Sequence, residues 1–286
     1  MEFVDTHCHI QSSDKQSGDG GEAVTRRFWE KAGYPSGDEL IARAVDAGVT
    51  RMICVGCSLP DSQLAVEFAK YRENIFASIG IHPHEAKDYI DASGYDQAKL
   101  DRFAALATAP KVVAVGECGL DYYYGHSEPA DQQKLLRYQI ELALEHNLPL
   151  IFHVRDAFAD FWPIFDEYMG HAGGVRGVLH SFTDNQANLD KALANGLYVG
   201  VNGIATFSKS QEQLEMYKCI PLSRLLLETD SPFLTPSPYR GTVCEPYHTS
   251  VTAEFLAGLR NEPLEALAAA TTANAHDLFI FSYYVY

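Results

Sequence analysis

Phe3-Val4-Asp5-Thr6-His7-Cys8-His9 is a short apolar and β-branched run that ends in two histidines. Side chains of a strand repeat every second residue, so His7 and His9 share a face with α-carbons about 6.5 Å apart. Two imidazoles so placed either grip one metal ion or sit hydrogen-bonded at a strand end. Recurrence of the same kind of run decides the fold. Residues 51–56, 75–81, 112–117, 148–154, 175–182, 197–202 and 225–230 are also apolar or β-branched. Between them, residues 38–47, 61–72, 98–107, 130–145, 156–168, 186–194 and 211–217 carry apolar positions at helical spacing, and 245–259 and 264–278 follow the last run. Strand then helix, eight times over, predicts an α/β protein, a single (β/α)8 TIM barrel spanning residues 1–286 as one domain. A doubly wound open sheet would show the same alternation, but no glycine-rich phosphate loop follows the first run.

Composition narrows the function classes. Hydrophobic residues make up 47% of the chain, ample for a large core. No apolar run approaches the roughly 18 residues of a membrane span, so a soluble protein without membrane association is expected. Glu2 and Asp5 stand where a secretory signal would be basic and apolar, so no targeting segment is expected. Cys54 and Cys57 form a lone C-x-x-C with no second pair at zinc-ribbon spacing, which predicts buried free thiols and a cytoplasmic location. The net charge of -16 argues against a surface that tracks a long duplex by neutralising phosphates. A metal-lined acidic pocket can still draw in a small anion or a single-strand end.

One connection is out of proportion. Residues 11–37 make an extended first βα loop, rich in Ser and Gly and then carrying Arg26, Arg27, Phe28 and Trp29. It must emerge on the face where barrel active sites are built. Packing of Phe28 and Trp29 as a flap is expected, with phosphate and base contacts as the alternative. The aromatic segment 279–286 is expected to pack on the barrel exterior.

His7, His9, Glu117, His153, His180 and Asp230 all fall at the carboxyl ends of predicted strands, which a barrel gathers at one mouth. Four imidazoles and two carboxylates suit two divalent metal ions about 3.5–4 Å apart, with one carboxylate bridging and the other accepting a proton. Ser181 and Cys118 neighbour these positions and would face away by period two, which disfavours a nucleophilic mechanism.

Asp5-Thr6-His7-Cys8-His9, Gly80-Ile81-His82-Pro83-His84, Gly116-Glu117-Cys118-Gly119-Leu120-Asp121-Tyr122, His153-Val154-Arg155-Asp156-Ala157, His180-Ser181-Phe182, Glu228-Thr229-Asp230-Ser231-Pro232, Tyr239-Arg240-Gly241 and Thr271-Thr272-Ala273-Asn274-Ala275 occur in this order. The chain resembles the TatD family of metal-dependent deoxyribonucleases, a branch of the amidohydrolase superfamily. That resemblance implies that His7, His9 and Asp230 hold one ion, that His153 and His180 hold the other, and that Glu117 bridges them. Glu117 and Asp230 would be the catalytic carboxylates, with Asp230 taking the proton of the attacking water. It implies magnesium-dependent 3′-5′ exonuclease action on single-stranded DNA ends, or in some members D-aminoacyl-tRNA deacylation. Zinc, manganese, iron or nickel also suit such ligands. His84, Arg155 and Arg240 would contact substrate phosphate, the two arginines by bidentate pairing. Salt bridges to Asp156 and Glu245 are the structural alternatives for those arginines. His82 would orient a neighbour or serve the backbone turn, and Asp121 would support a ligand or cap the next helix. No obligatory protein partner is evident. A hydrolase of esters, lactones or amides is the rival reading, because the same activated water attacks carbon as well as phosphorus.

Overall fold

Alternation along each strand sorts its side chains into two layers. Phe3, Met52, Cys54, Ile75, Phe152 and Leu227 point outward into a core shared with the helices. Val4, Ile53, Val55, Phe76, Ile151, Val178 and Leu226 meet one another inside a barrel. The computed structural model describes residues 1–13, 23–91, 94–171 and 174–281. Eight parallel strands follow one another around the sheet in chain order. They are β1 (Phe3–Cys8), β2 (Val49–Val55), β3 (Ile75–Ile79), β4 (Val112–Asp121), β5 (Leu150–Arg155), β6 (Gly177–Leu179), β7 (Tyr198–Val201) and β8 (Leu225–Leu227).

Helices occupy the intervening segments as the periodicity predicts. After β1 come α1 (Ala23–Lys31) and α2 (Gly37–Asp46), and after β2 to β7 come α3 (Leu59–Lys70), α4 (Gln97–Ala104), α5 (Pro129–Glu145), α6 (Phe158–Glu167), α7 (Gln186–Ala194) and α8 (Gln211–Cys219). After β8, α9 (His248–Arg260) and α10 (Leu264–Leu278) complete the ring. Local chemistry sets several starts. Ser36 and Glu39 form a reciprocal capping box on α2, and Ser58, Asp96, Asn185 and Ser210 each accept from a backbone N–H of the helix they open. A small hairpin, Ile90–Asp91 with Gly94–Tyr95, was not foreseen.

Among the described residues the ladder runs from β1 to β8 without a closing pair of strands, and closure passes to the residues just beyond. Asp230 N–H donates to the His7 carbonyl at 2.8 Å, and His9 N–H to the Ser231 carbonyl at 2.8 Å. Thr6 Oγ1 donates to the Leu227 carbonyl at 3.0 Å. The buried Asp5 carboxylate accepts from Thr229 N at 2.9 Å and from Thr229 Oγ1 at 2.6 Å. Burial pushes the Asp5 carboxyl up to about 7, against the pull of those hydrogen bonds.

Two expectations need correction. β6 and β8 are shorter than the apolar runs suggest, because the backbone turns out of the ladder at Ser181 (φ 49°) and Asp230 (φ 61°). The aromatic C-terminal segment does not lie on the exterior. Phe279 and Phe281 join Val4, Ile53 and Phe76 in the barrel interior, and the Phe281 ring centroid is 4.5 Å from that of Phe76. The physical reason is that the inward-facing apolar residues of β1 to β3 need a cover at the end of the barrel opposite the predicted site. Residues 282–286 lie outside the described residues. Among those described, no helix is long and apolar enough to cross a membrane.

Phe279 is fully buried, so Phe279→Ala should cost about 3–5 kcal/mol of unfolding free energy. Equilibrium denaturation measures this, and a cost below about 1 kcal/mol would show that the interior does not depend on the ring.

Candidate metal centre

The closing seam places three donors side by side. His7 Nε2 lies 3.3 Å from His9 Nε2, 3.4 Å from Glu117 Oε2 and 3.7 Å from Asp230 Oδ1. His9 Nε2 is 3.3 Å from the same Asp230 oxygen. His9 Nδ1 sits 2.9 Å from the Val55 carbonyl, an arrangement that places a ring hydrogen there and turns Nε2 toward Asp230. Two imidazole nitrogens and two carboxylate oxygens crowded this closely are a donor set that suits a divalent cation.

Glu117 reaches this group from within β4. Its Oε2 faces His7, while Oε1 lies 2.8 Å from His153 Nδ1 and 3.7 Å from His82 Nε2. The two oxygens of one carboxylate thus address two sides of the centre. Gly80, just past β3, permits the approach, because a Cβ there would stand 2.3 Å from Glu117 N.

His153 and His180 are each held by a second carboxylate. His153 Nε2 is 2.9 Å from Asp121 Oδ2, which also lies 3.0 Å from His84 Nε2. The other Asp121 oxygen accepts from Tyr123 N and Tyr124 N in the loop after β4, so Asp121 braces His153 and His84 and does not cap the next helix, which begins only at Pro129. His82 Nδ1 accepts from His84 N across Pro83. His180 stacks on His7 with ring centroids 3.5 Å apart, its Nδ1 3.0 Å from Glu228 Oε1 and its Nε2 3.9 Å from Asp230 Oδ1. Among the described residues, donors therefore gather as His7, His9 and Asp230, as His82, Glu117 and His153, as His7, His180 and Glu228, and as His9, Cys57 and Glu117. His153 and His180, paired in the sequence reading, fall into different groups.

Glu228 was quoted in a motif but given no role. It is buried, accepts from Ser181 N at 2.6 Å, and occupies the space left by Gly200, whose added Cβ would meet Glu228 Oε2 at 2.3 Å. A carboxylate ending an otherwise apolar strand was the available signal. Ser181 also needs correction. It lines the cleft instead of facing away, because its left-handed backbone breaks the period-two alternation. Cys118 does point away, its thiol toward the Ile151 carbonyl.

Above the donors opens a cavity of about 750 Å³ lined by His9, His84, Glu117, Tyr123, Tyr124, Arg155, Asp230 and Phe233 among others. The Arg155 guanidinium lies over the Tyr123 ring at 4.1 Å and over Tyr124 at 4.9 Å. Arg240 is placed elsewhere. It donates to the Thr235 carbonyl, covers Phe207 at 3.9 Å and lines an adjoining cavity of about 770 Å³. Glu245 pairs with Arg43. From the extended first loop, the buried Trp29 donates through Nε1 to the His9 carbonyl at 3.1 Å, and Phe28 packs edge-on against Phe233 at 4.9 Å. The flap reading holds for α1, while residues 14–22 lie outside the described residues.

The pattern of the family described as TatD related DNase matches residues 4–280. The chain belongs to this TatD-related family. It is 35% identical over 280 residues to the metal-dependent hydrolase YcfH of Escherichia coli, covering 98% of this chain and 96% of that one. It is 35% identical over 248 residues to a protein of Salmonella typhimurium named 3′-5′ ssDNA/RNA exonuclease TatD, covering 85% of this chain and 92% of that one. The crystal structure of the TatD homologue YjjV from Escherichia coli superposes with a TM-score of 0.81 at 26% identity, covering 97% of this chain and 98% of that one. The chain is thus an enzyme, a metal-dependent hydrolase on a TIM barrel.

TatD membership gives the electrostatics a purpose. Burial, helped by the neighbouring His180 and His9, pushes His7 below its usual range, and burial with His153 and His84 pushes His82 well below it. Burial also opposes charge on His9, but Asp230 outweighs it and raises the imidazole to about 10. Asp121 and Glu117 raise His153 to about 9, and Glu228 raises His180 to about 9, again against burial. Glu117 and Asp230 are held anionic by their imidazoles despite being buried. With values of about 9 to 10, His9, His153 and His180 favour their protonated forms at neutral pH, and an ion held by them would displace those protons. Divalent-ion binding is therefore expected to release protons and to tighten as pH rises from neutral toward 9. Calorimetry in buffers of different ionisation enthalpy measures the release, and binding that is independent of pH would contradict it.

Proposed function

We propose that this chain is a divalent-metal-dependent phosphodiesterase that trims single-stranded nucleic acid, in particular DNA from its 3′ end. The observation that carries the reading is the donor cluster at the floor of a cleft whose rim presents rings and a cation. Tyr123 and Tyr124 are 58% and 52% exposed and carry Arg155 against their faces. Successive bases stack on such rings while a guanidinium meets the backbone. The name of the Salmonella relative supports the same substrate class. With a net charge of -16, recognition of an end suits this protein better than tracking along a duplex.

Two ions are proposed, with magnesium as the functional metal. His7, His9 and Asp230 would hold one, Glu117 would stand between them, and His153 and His180, which reach the centre from different donor groups, would close on the other from opposite sides of Glu117. The ions would make a water acidic enough to attack at neutral pH and would offset charge on the phosphate. The chain's own residues do the rest. Asp230 is anionic, and with a side chain 17% exposed it reaches the cleft further than Glu117 at 6%, so it is the group to accept the proton of the attacking water. His84, braced by Asp121, and Arg155 would orient the scissile phosphate. Arg240, in the adjoining cavity, would meet a phosphate further along the strand.

End-labelled single-stranded DNA, duplex DNA and RNA are to be incubated with the purified chain in magnesium or manganese. Asp230→Asn should lower cleavage by about 100-fold or more, and chelator should abolish it. Equal cleavage by wild type and Asp230→Asn would mark a contaminant and end the proposal, and turnover of lactones or aryl esters without cleavage of nucleic acid would select that other substrate class. Replacing Tyr123 and Tyr124 by Ala should raise KM for oligonucleotides roughly tenfold while sparing a small aryl phosphodiester. An unchanged KM would remove the stacking role.

A further inference from the structure

We propose that Cys57 is a metal ligand of this centre, through its thiolate, and that it tunes the site toward thiophilic divalent ions. The inference rests on the metal-centre reading above and concerns a residue to which that reading assigns nothing. Cys57 lies in the turn between β2 and α3 and is 6% exposed. Its backbone is fixed on both sides, its N–H donating to Asp61 Oδ2 at 3.0 Å and its carbonyl accepting from His82 N at 2.8 Å. The preceding Gly56 carbonyl accepts from Glu117 N at 3.0 Å, so the turn is stitched to the strand that carries the central carboxylate.

That scaffold aims the sulfur. Cys57 Sγ is 3.7 Å from Glu117 Oε2, the same oxygen that faces His7. Donor atoms of His9, Cys57 and Glu117 all lie within 4.8 Å of one another. A sulfur at about 2.3 Å and an oxygen at about 2.0 Å from one tetrahedral ion would be about 3.5 Å apart, close to the spacing found. Two buried strand thiols are engaged differently. Cys8 donates toward the Ile53 carbonyl and Cys118 toward that of Ile151, both outside the cleft, whereas Cys57 lines it.

Ligation forms a metal–sulfur bond as the thiol proton passes to solvent, with no change of oxidation state. Imidazole and carboxylate alone admit hard ions such as magnesium, while a thiolate adds preference for zinc, cobalt, iron(II) or cadmium. The residue would therefore alter which ion the cleft retains when several compete.

The test uses the full chain, stripped with chelator under a thiol-free reductant and titrated with Co(II) and then Cd(II). A near-ultraviolet thiolate-to-metal charge-transfer band is expected for the wild type. It should be lost in Cys57→Ser and kept in Cys219→Ser, which removes the exposed cysteine. Cys57→Ser should weaken Cd(II) binding about tenfold or more and leave magnesium within about twofold. Cd(II) should also protect Cys57 of the wild type from alkylation, read by peptide mass, a measurement that needs no variant to fold. Co(II) bound without the band, a band that survives Cys57→Ser, or alkylation unaffected by Cd(II) would each overturn the thiolate ligand while leaving the hydrolase reading intact. Failure to bind Co(II) at all would overturn both.

Discussion

The seam between the first and last strands is the constraint on which the rest depends. A barrel must close, and here closure is not made by a ladder between β1 and β8. It is made by Asp230 and Ser231 pairing with the backbone of His7 and His9, and by the Asp5 carboxylate holding Thr229. The hydrogen bonds that shut the barrel are thus the ones that set His7, His9 and Asp230 at donor distance. Fold and chemistry share a single set of contacts, so neither can drift without the other.

Around that seam the charges are arranged in alternation. Each imidazole of the centre faces a carboxylate, and three of the surrounding carboxylates are themselves restrained: Asp121 by two backbone amides, Glu228 by Ser181 N, Asp61 by Cys57 N. Buried charges on this scale are tolerated only when paired and hydrogen-bonded. Asp61 illustrates the margin, since burial lifts its carboxyl to about 6 while His9 and the turn amide pull it down. Such a shell fixes ring orientation before any ion arrives, which is the preorganisation that metal sites require.

Much of this was legible in the sequence, and for a physical reason. Strand period and helix period differ, so eight repeats of one followed by the other leave few folds to choose from, and polar residues at strand ends converge in a barrel wherever they lie in the chain. The meeting of His7, His9, Glu117 and Asp230 at one mouth was legible that way. What depends on contacts through space was not. Glu228 holds His180 and Asp61 holds the Cys57 amide from positions without periodic signature. Arg240 follows the last strand, but adjacency in sequence does not say into which of two neighbouring cavities a loop turns. Phe279 and Phe281 read equally well as outward or inward, and only the uncovered apolar floor of β1 to β3 decides between them.

The aromatic plug at that floor has a bearing on how the protein is made. The lower interior stays incomplete until Phe279 and Phe281 arrive, and the seam stays open until residues near Asp230 meet those near Asp5. During synthesis the first strand must therefore wait, with its apolar side chains exposed, for segments translated more than two hundred residues later. The nascent chain is predisposed to need shelter during that interval, and its acidic, strongly charged surface offers electrostatic repulsion against premature association of neighbouring chains.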